Sequence, residues 1–588
     1  LNEAESAYAR RVEMLGAELA AAEVAEAEEF TVENEVMKLT FSTRGGQVKA
    51  VELKEYTKYG PRDERTEPVQ MFDPEFERFN LSFFVRRGFN DLKIQTADYT
   101  FQKVAVERDA EGVQRVTMQL PVAPGANLEY SYLIYNSATP ERDYLVDFDV
   151  RLNGMSPFLS NQTSIGVEWS SKSYQNERGF TNENLYTTIA YHHVGEDSIE
   201  ELGMSEGFKD DDTSTELDWV DFKQQFFSSV LIVPAGLQGA EMAFDTAEEG
   251  SGYMKEYMLQ SSLGYNSTTE GYDMALYFGP NRYSVLRKVS VTEDDDLCLE
   301  RVIPLGWGIF GWINRWFVIP VFDLLRNHIA SFGIIILILA VLIRLIISPL
   351  TYKSYVSMAK MRLVKPEMDA LAAKYPKQED AMKRQQATME LYKKAGINPM
   401  SGCIPMLIQM PILIAMFRFF PASIELRGKS FLWSDDLSSY DSVLDLPFNI
   451  PFYGDHVSLF CLLMAVVLFV FSYINYQQTA SSQPQMAGMK FMTVYMMPVM
   501  MLLWFNSYSS GLCYYYFISQ LITIALTYII RAMLDDDKVR AQMQANAKKK
   551  KKKKKSSFQQ RYEELLKQQQ EMLREQRQQQ AQQQQRRK

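Results

Sequence analysis

From about Phe30 to Leu299 apolar and polar side chains alternate with a period of two. In VMKLTFS, Met37, Leu39 and Phe41 alternate with Lys38, Thr40 and Ser42; in YLVDFDVRL, Val146, Phe148, Val150 and Leu152 alternate with Asp147, Asp149 and Arg151. A half-buried strand has this period because successive side chains point to opposite faces. Turn residues punctuate the runs at Gly45-Gly46, Pro124-Gly125 and Asp210 to Thr213. The pattern predicts a large antiparallel β-sandwich of two packed sheets over residues 30–301. Residues 1–29, rich in Ala and Glu, read as a solvated helix or a tether.

The pattern then changes. Residues 306–328, GWGIFGWINRWFVIPVFDLLRNH, are dominated by aromatic residues with Asn314, Arg315, Asp323 and Arg326 interspersed. This fits an amphipathic helix lying along a membrane surface within 302–332, with a buried soluble helix as the alternative. Continuous apolar stretches follow near 333–352, 403–422, 457–475, 490–506 and 510–531, several close to the lower length limit of about 17 residues for a span. Pro349, Pro411 and Pro498 lie inside or at the ends of these stretches, which helix bundles tolerate.

One charge stands in the middle of the first span. GIIILILAVLIRLIISPL (333–350) holds Arg344 alone, about 14 Å along the helix from Lys353. An arginine at that depth costs at least about 2.5 kcal/mol. It either faces a partner or hydrated cavity inside the bundle, or snorkels through a thin bilayer.

Charge divides the chain. Residues 1–301 carry 54 acidic and 27 basic side chains; residues 302–588 carry 19 and 35. Opposite signs point to two compartments. The loop 353–402 holds ten basic and five acidic residues, and the loop 423–456 two and six. By the excess of Lys and Arg, 353–402, 476–489 and the tail are cytoplasmic, and five spans then put 1–332 on the other side. The first residue is Leu1 and no apolar span precedes residue 300, so a lost N-terminal span or signal is expected to export the sandwich.

The loop 353–402 reads as a helical hairpin. Pro366 suits the first position of a helix, Tyr375-Pro376 the turn, and Gly396 the end of a second helix. Met368, Leu371, Met382 and Met389 give it a weak apolar face. In the tail, 536–588, eight lysines run consecutively: Lys548, Lys549, Lys550, Lys551, Lys552, Lys553, Lys554 and Lys555. They suit RNA phosphates, anionic lipid heads or a topology signal. The four cysteines form neither a disulfide framework nor a metal-ligand pattern, and His192-His193 fits a structural role. No nucleotide-binding loop or catalytic triad appears, so neither an enzyme nor a cofactor is expected.

LIRLIISPLT (342–351), SMAKMRLVKPEM (357–368), INPMSGCIPMLIQMPILIAMF (397–417) and SGLCYYYFISQ (510–520) closely resemble the YidC family of membrane protein insertases. Gly306-Trp307 also fits, and TRGG (43–46), WVDFKQQFF (219–227) and LYFGP (276–280) resemble the periplasmic domain of its Gram-negative members. The resemblance covers about residues 30–535. It implies an α+β membrane protein: a large periplasmic antiparallel β-sandwich, then a five-helix transmembrane insertase bundle (333–535) with a cytoplasmic helical hairpin, in the inner membrane.

It further implies a hydrophilic groove, closed toward the periplasm, that receives nascent membrane proteins without a covalent step. Arg344 matches the family's groove arginine, and Tyr515 and Tyr516 its paired tyrosines. Gln409 and Gln520 are polar at bundle depth and fit either the groove or hydrogen bonding between helices. Met496, Met497 and Met500 offer an adaptable apolar surface for clients or a packing stripe. The implied partners are the Sec translocon, membrane lipids, and the ribosome through the hairpin and basic tail. Two departures stand out: Ala340 where well-studied bacterial members carry threonine, and a longer turn, FNSYSSGL (505–512). A small-solute transporter or channel, or a membrane-anchored scaffold, are the competing readings; the first predicts inverted repeats, which the spans do not display.

Overall fold

The computed structural model describes residues 3–60, 66–136, 141–292, 296–376, 380–397, 404–480, 491–535, 537–541 and 543. The chain forms two compact units. The first is Leu1–Ser348, Met406–Gln478 and Gln485–Leu526; the second is Pro349–Pro405, Thr479–Pro484 and Thr527–Lys588.

In the first unit, the alternating segments are strands. Met37–Ser42 and Leu145–Asn153 bury their apolar faces as the period of two requires. Among the described residues the strands form a four-stranded sheet, a larger one of fourteen strands and a two-stranded one, Leu444–Ile450 with Gly454–Val457. The two layers of a sandwich are present, but the large sheet makes both by folding over. Phe79 and Phe148 lie on strands five steps apart in that sheet, which would separate them by about 24 Å if it were flat. Their rings are 5.5 Å apart.

The strand Phe227–Thr246 turns the corner. Residues 227–232 pair with Gly271–Pro280, and residues 237–246 with Tyr253–Gly264. Between them Pro234 lacks a ladder donor, and Gly236 takes a φ of 86°, open to glycine at little cost. The small sheet packs on this body through Phe41, whose ring lies 5.0 Å from Tyr132.

Residues 1–29 are not a free tether. Two helices, α1 (Glu3–Leu15) and α2 (Ala17–Val24), precede the first strand, which begins at Glu29. Leu15, Leu19, Ala20 and Ala22 are buried. The Ala22 carbonyl accepts the Thr100 N–H at 2.9 Å, and the Ala25 carbonyl accepts the Thr100 hydroxyl at 3.0 Å. Alanines let the helix approach the sheet closely, which an apolar count of the segment does not register.

The remaining elements are helices: α3 (Gly308–Arg326), α4 (Phe332–Lys374), α5 (Ala381–Ala395), α6 (Ile404–Ala422), α7 (Leu459–Ala480), α8 (Phe491–Phe505) and α9 (Ser510–Met533). Among the described residues α3, α4, α7 and α9 are long and apolar enough to cross a membrane; α6 and α8 are shorter apolar helices. The α3 helix contains a π-helical turn at Asn314–Val318. It exposes Trp307, Ile309, Trp312 and Trp316 at one face or its start and buries Val318 and Phe322.

In the second unit, α4 continues through Pro366, which the sequence reading puts at a helix start. The break that an interior proline favours is opposed by packing on both sides of it. Val364 is buried against Tyr392, Ala395 and Ile397, and the Tyr392 hydroxyl donates to Met368 Sδ at 3.3 Å. Gly396 ends α5 in the left-handed conformation, as predicted.

Candidate functional site

Arg344 sits where α4, α6 and α9 meet. Helical spacing brings one face of each together: Ile343, Arg344 and Ile347; Gln409, Ile412 and Leu413; Tyr515, Tyr516 and Ser519. These nine residues line a small cleft. Arg344 is only 7% exposed. Its Nε donates to Ser519 Oγ at 2.8 Å and its Nη1 to Gln409 Oε1 at 3.1 Å. These two acceptors are neutral and orient the guanidinium. A cation held in such a cleft attracts a carboxylate that enters.

The structure brings together four of the five polar residues predicted for the site. Tyr516 donates its hydroxyl to the Leu413 carbonyl at 2.7 Å, and its ring lies 5.4 Å from that of Tyr515. Gln520 is buried but does not line the cleft, and its Oε1 has no hydrogen-bond partner among the described residues. It is one residue on from Ser519, hence on another face of α9. Ser519 is the residue that the sequence reading missed; its spacing of four from Tyr515 was the available signal. Met496 and Met497 are exposed on α8 and Met500 is half-buried, all away from this cleft. Ala340 is fully buried. Lys548 to Lys555 lie outside the described residues, as do parts of the loop 353–402.

The helix ends nearest the sandwich are sealed by polar groups. Asp441 accepts the Leu459 and Phe460 backbone N–H groups at 2.9 and 3.0 Å, Trp433 Nε1 at 2.8 Å, and the Ser458 hydroxyl. An acidic residue at the start of α7 favours the positive end of its dipole. In the longer turn, Ser509 Oγ donates to the Leu437 carbonyl at 2.7 Å and the Gly511 N–H to the same oxygen at 3.0 Å. Thus the loop 423–456 and the turn 505–512 close this end of the bundle together.

The sandwich is docked on that end. Arg427 Nε donates to Glu177 Oε1 at 2.6 Å, and Gln225 Nε2 to the Pro421 carbonyl at 3.0 Å. Glu183 accepts the Asn176 and Glu177 N–H groups, both at 3.1 Å. Burial and the neighbouring Glu177 charge push the Glu183 carboxyl above its usual range, against those two donors and Arg427. Asn314 of α3 donates to the Leu305 and Ala415 carbonyls at 2.8 and 2.9 Å.

His192 is held within the fold. His192 Nδ1 lies 2.7 Å from Asp218 and its Nε2 2.7 Å from the Glu196 carbonyl. Burial disfavours the charged ring, yet Asp218 and the carbonyl outweigh it and raise the pKa. No group of three or more His, Cys, Asp or Glu among the described residues is placed to hold a metal ion.

Two family models match the chain: "YidC periplasmic domain" over residues 29–320 and "60Kd inner membrane protein" over residues 324–539. The chain is 39% identical over 526 residues to a membrane protein insertase YidC of Parabacteroides distasonis, covering 88% of this chain and 80% of that protein. It is 42% identical over 506 residues to the one of Phocaeicola vulgatus, covering 85% and 78%. A crystal structure of YidC from Thermotoga maritima aligns at 15% identity over 86% of this chain and 98% of that one, with a TM-score of 0.27.

Proposed function

The chain belongs to the YidC family of membrane protein insertases, and from that premise we propose how its own residues carry out insertion. It is an inner-membrane insertase with a periplasmic β-rich domain, and its work is transfer of apolar segments into lipid rather than an enzymatic reaction. The transporter and scaffold readings give way to this membership.

The observation that carries the mechanism is the oriented guanidinium of Arg344 in a cleft lined by Tyr515 and Tyr516. An acidic N-terminal segment of a client is held transiently there. The apolar segment behind it slides along α9 and leaves sideways into lipid, where burial of each CH₂ gains about 0.8 kcal/mol. The membrane potential draws the acidic residues outward. Gln409 and Ser519 position the arginine; Gln520 serves helix packing; exposed Met496 and Met497, with half-buried Met500, present an adaptable surface toward client or lipid. A photocrosslinker at Tyr516, in protein reconstituted in liposomes, tests this. Capture of a short single-span client together with its protease protection is expected; protection without capture moves the path elsewhere.

The topology follows from charge. The sandwich, 30–301, and the helix within 302–332 lie at the periplasmic face, and the hairpin 353–402 and the tail 536–588 lie in the cytoplasm. Support for the hairpin comes from the packed pair α4 and α5 in the second unit. The hairpin and Lys548 to Lys555 meet ribosomes through RNA phosphates, and the sandwich side meets the Sec translocon. Each neutralised phosphate adds to the salt dependence of such binding. Deleting residues 548–588 is therefore expected to weaken cosedimentation with ribosomes and flatten its decline across a salt series. Unchanged cosedimentation sinks the role of the tail.

A further inference from the structure

The segment between α6 and α7 is charged at its base and uncharged at its tip. Leu444–Ile450 and Gly454–Val457 form a hairpin, with Leu444 opposite Val457 and Ile450 opposite Gly454. At the base, Asp445 lies 3.8 Å from Arg178 of the sandwich, and Asp455 lies beside His456. Residues 446–454 read LPFNIPFYG, without a charge. Phe448 is 60% exposed and Phe452 88%. Phe452 also holds a φ of 66°, a conformation that bulky side chains rarely adopt.

The tip is fixed at the level of the helix ends. Asn506, in the turn from α8 to α9, donates through Nδ2 to the Tyr453 carbonyl at 2.9 Å and to the His456 carbonyl at 2.8 Å. His456 Nε2 lies 3.0 Å from the Asn506 carbonyl. Ser458 then leads into α7, whose exposed Leu462, Val466 and Val470 recur every four residues on one face. On a helix that crosses a membrane, that stripe faces acyl chains. Phe448 and Phe452 are exposed in the segment that leads into this helix.

We propose that the 446–454 tip is a lipid anchor, with Phe448 and Phe452 entering the sandwich-side leaflet at the boundary of headgroups and acyl chains. Aromatic rings are favoured at that depth, and the absence of charge from the tip removes the main cost of entry. The charged base stays in water against Arg178. Because Asn506 ties the tip to the start of α9, the leaflet is disturbed beside the helix that carries Tyr515 and Tyr516. A client leaving the cleft sideways meets loosened lipid there. The proposal rests on the reading of α7 and α9 as membrane spans of an insertase.

Depth measurement by nitroxide labelling tests it. The full chain is reconstituted in liposomes of mixed zwitterionic and anionic phospholipid, labelled at Phe452→Cys or, as a reference, at Asp445→Cys. Of the four native cysteines, Cys298, Cys461 and Cys513 are buried and Cys403, outside the described residues, is replaced by serine; the protein without an added cysteine gives the labelling blank. At Phe452→Cys relaxation by oxygen is expected to exceed that by a water-soluble nickel chelate several-fold, with the order reversed at Asp445→Cys. Equal access of the chelate to both labels overturns the anchor. So does a label at 452 shielded from both relaxants, which signals a protein partner instead. Client insertion in the same vesicles separates the two readings: insertion with a water-exposed label removes the anchor alone, and a lipid-buried label without insertion removes the insertase mechanism alone.

Discussion

Replacing Arg344 by alanine is expected to slow insertion of a single-span client with an acidic N-terminal tail by about ten- to a hundredfold. A hydrogen bond to a charged group contributes about 1.5–3 kcal/mol net, and each 1.4 kcal/mol is a factor of ten. A client whose tail carries no acid should slow by less than about threefold, because only the apolar transfer drives it. Arg344→Lys should fall between. Lysine keeps the charge but lacks the planar fork that reaches Ser519 and Gln409 at once.

The protease-protected fraction of each client, followed in time, gives these rates. Thermal unfolding of each variant separates loss of fold from loss of the charge, since Arg344→Ala also removes the donors to Ser519 and Gln409. Equal slowing of acidic and neutral tails would assign Arg344 to hydration or packing of the cleft. No slowing of either would remove it from the path.

The singularity of Arg344 was legible because one charge in eighteen residues stands out against any apolar background. The strands around Met37 and Phe148 were legible because burial on one face imposes a local period. What escaped is pairing across long stretches of chain. Only the spacing of four from Tyr515 hints at Ser519, and nothing in that spacing pairs it with Arg344, 175 residues away. The loop 423–456 shows in the sequence only an excess of acidic residues, yet Asp441 is buried as the cap of α7. The folding-over of the large sheet depends on a bend within one strand, and a period of two is blind to it. Pro366 fits the start of a helix as well as a site where packing overrides the break. Helix α2 docks through small residues, whose burial leaves little trace in hydropathy.

The same contrast between local pattern and distant pairing sets the second large effect. Arg427→Met is expected to cost the native fold about 3–5 kcal/mol, because it takes the paired cation away from the buried Glu177 carboxylate. The two side chains are each 7% exposed. Arg427 also donates to the Asn176 carbonyl at 3.3 Å and stands over the Phe227 ring at 5.0 Å. Adding Glu177→Gln to Arg427→Met should recover most of the loss, since an amide costs far less to bury than a carboxylate. Lys288→Met is the control. Its ion pair with Glu141 is more than half exposed on both sides, and such pairs contribute less than about 1 kcal/mol. Thermal unfolding of the purified protein, with hydrogen exchange at residues 176–186, reads all three. A loss at Arg427→Met no larger than at Lys288→Met, or a double variant no better than the single one, would rule out the pair as the clasp between sandwich and helices. If the clasp is lost while the sandwich itself stays folded, client insertion then measures what docking contributes. Unchanged insertion would make the sandwich a separate module, and slowed insertion would make its seat on the loop 423–456 part of the machine.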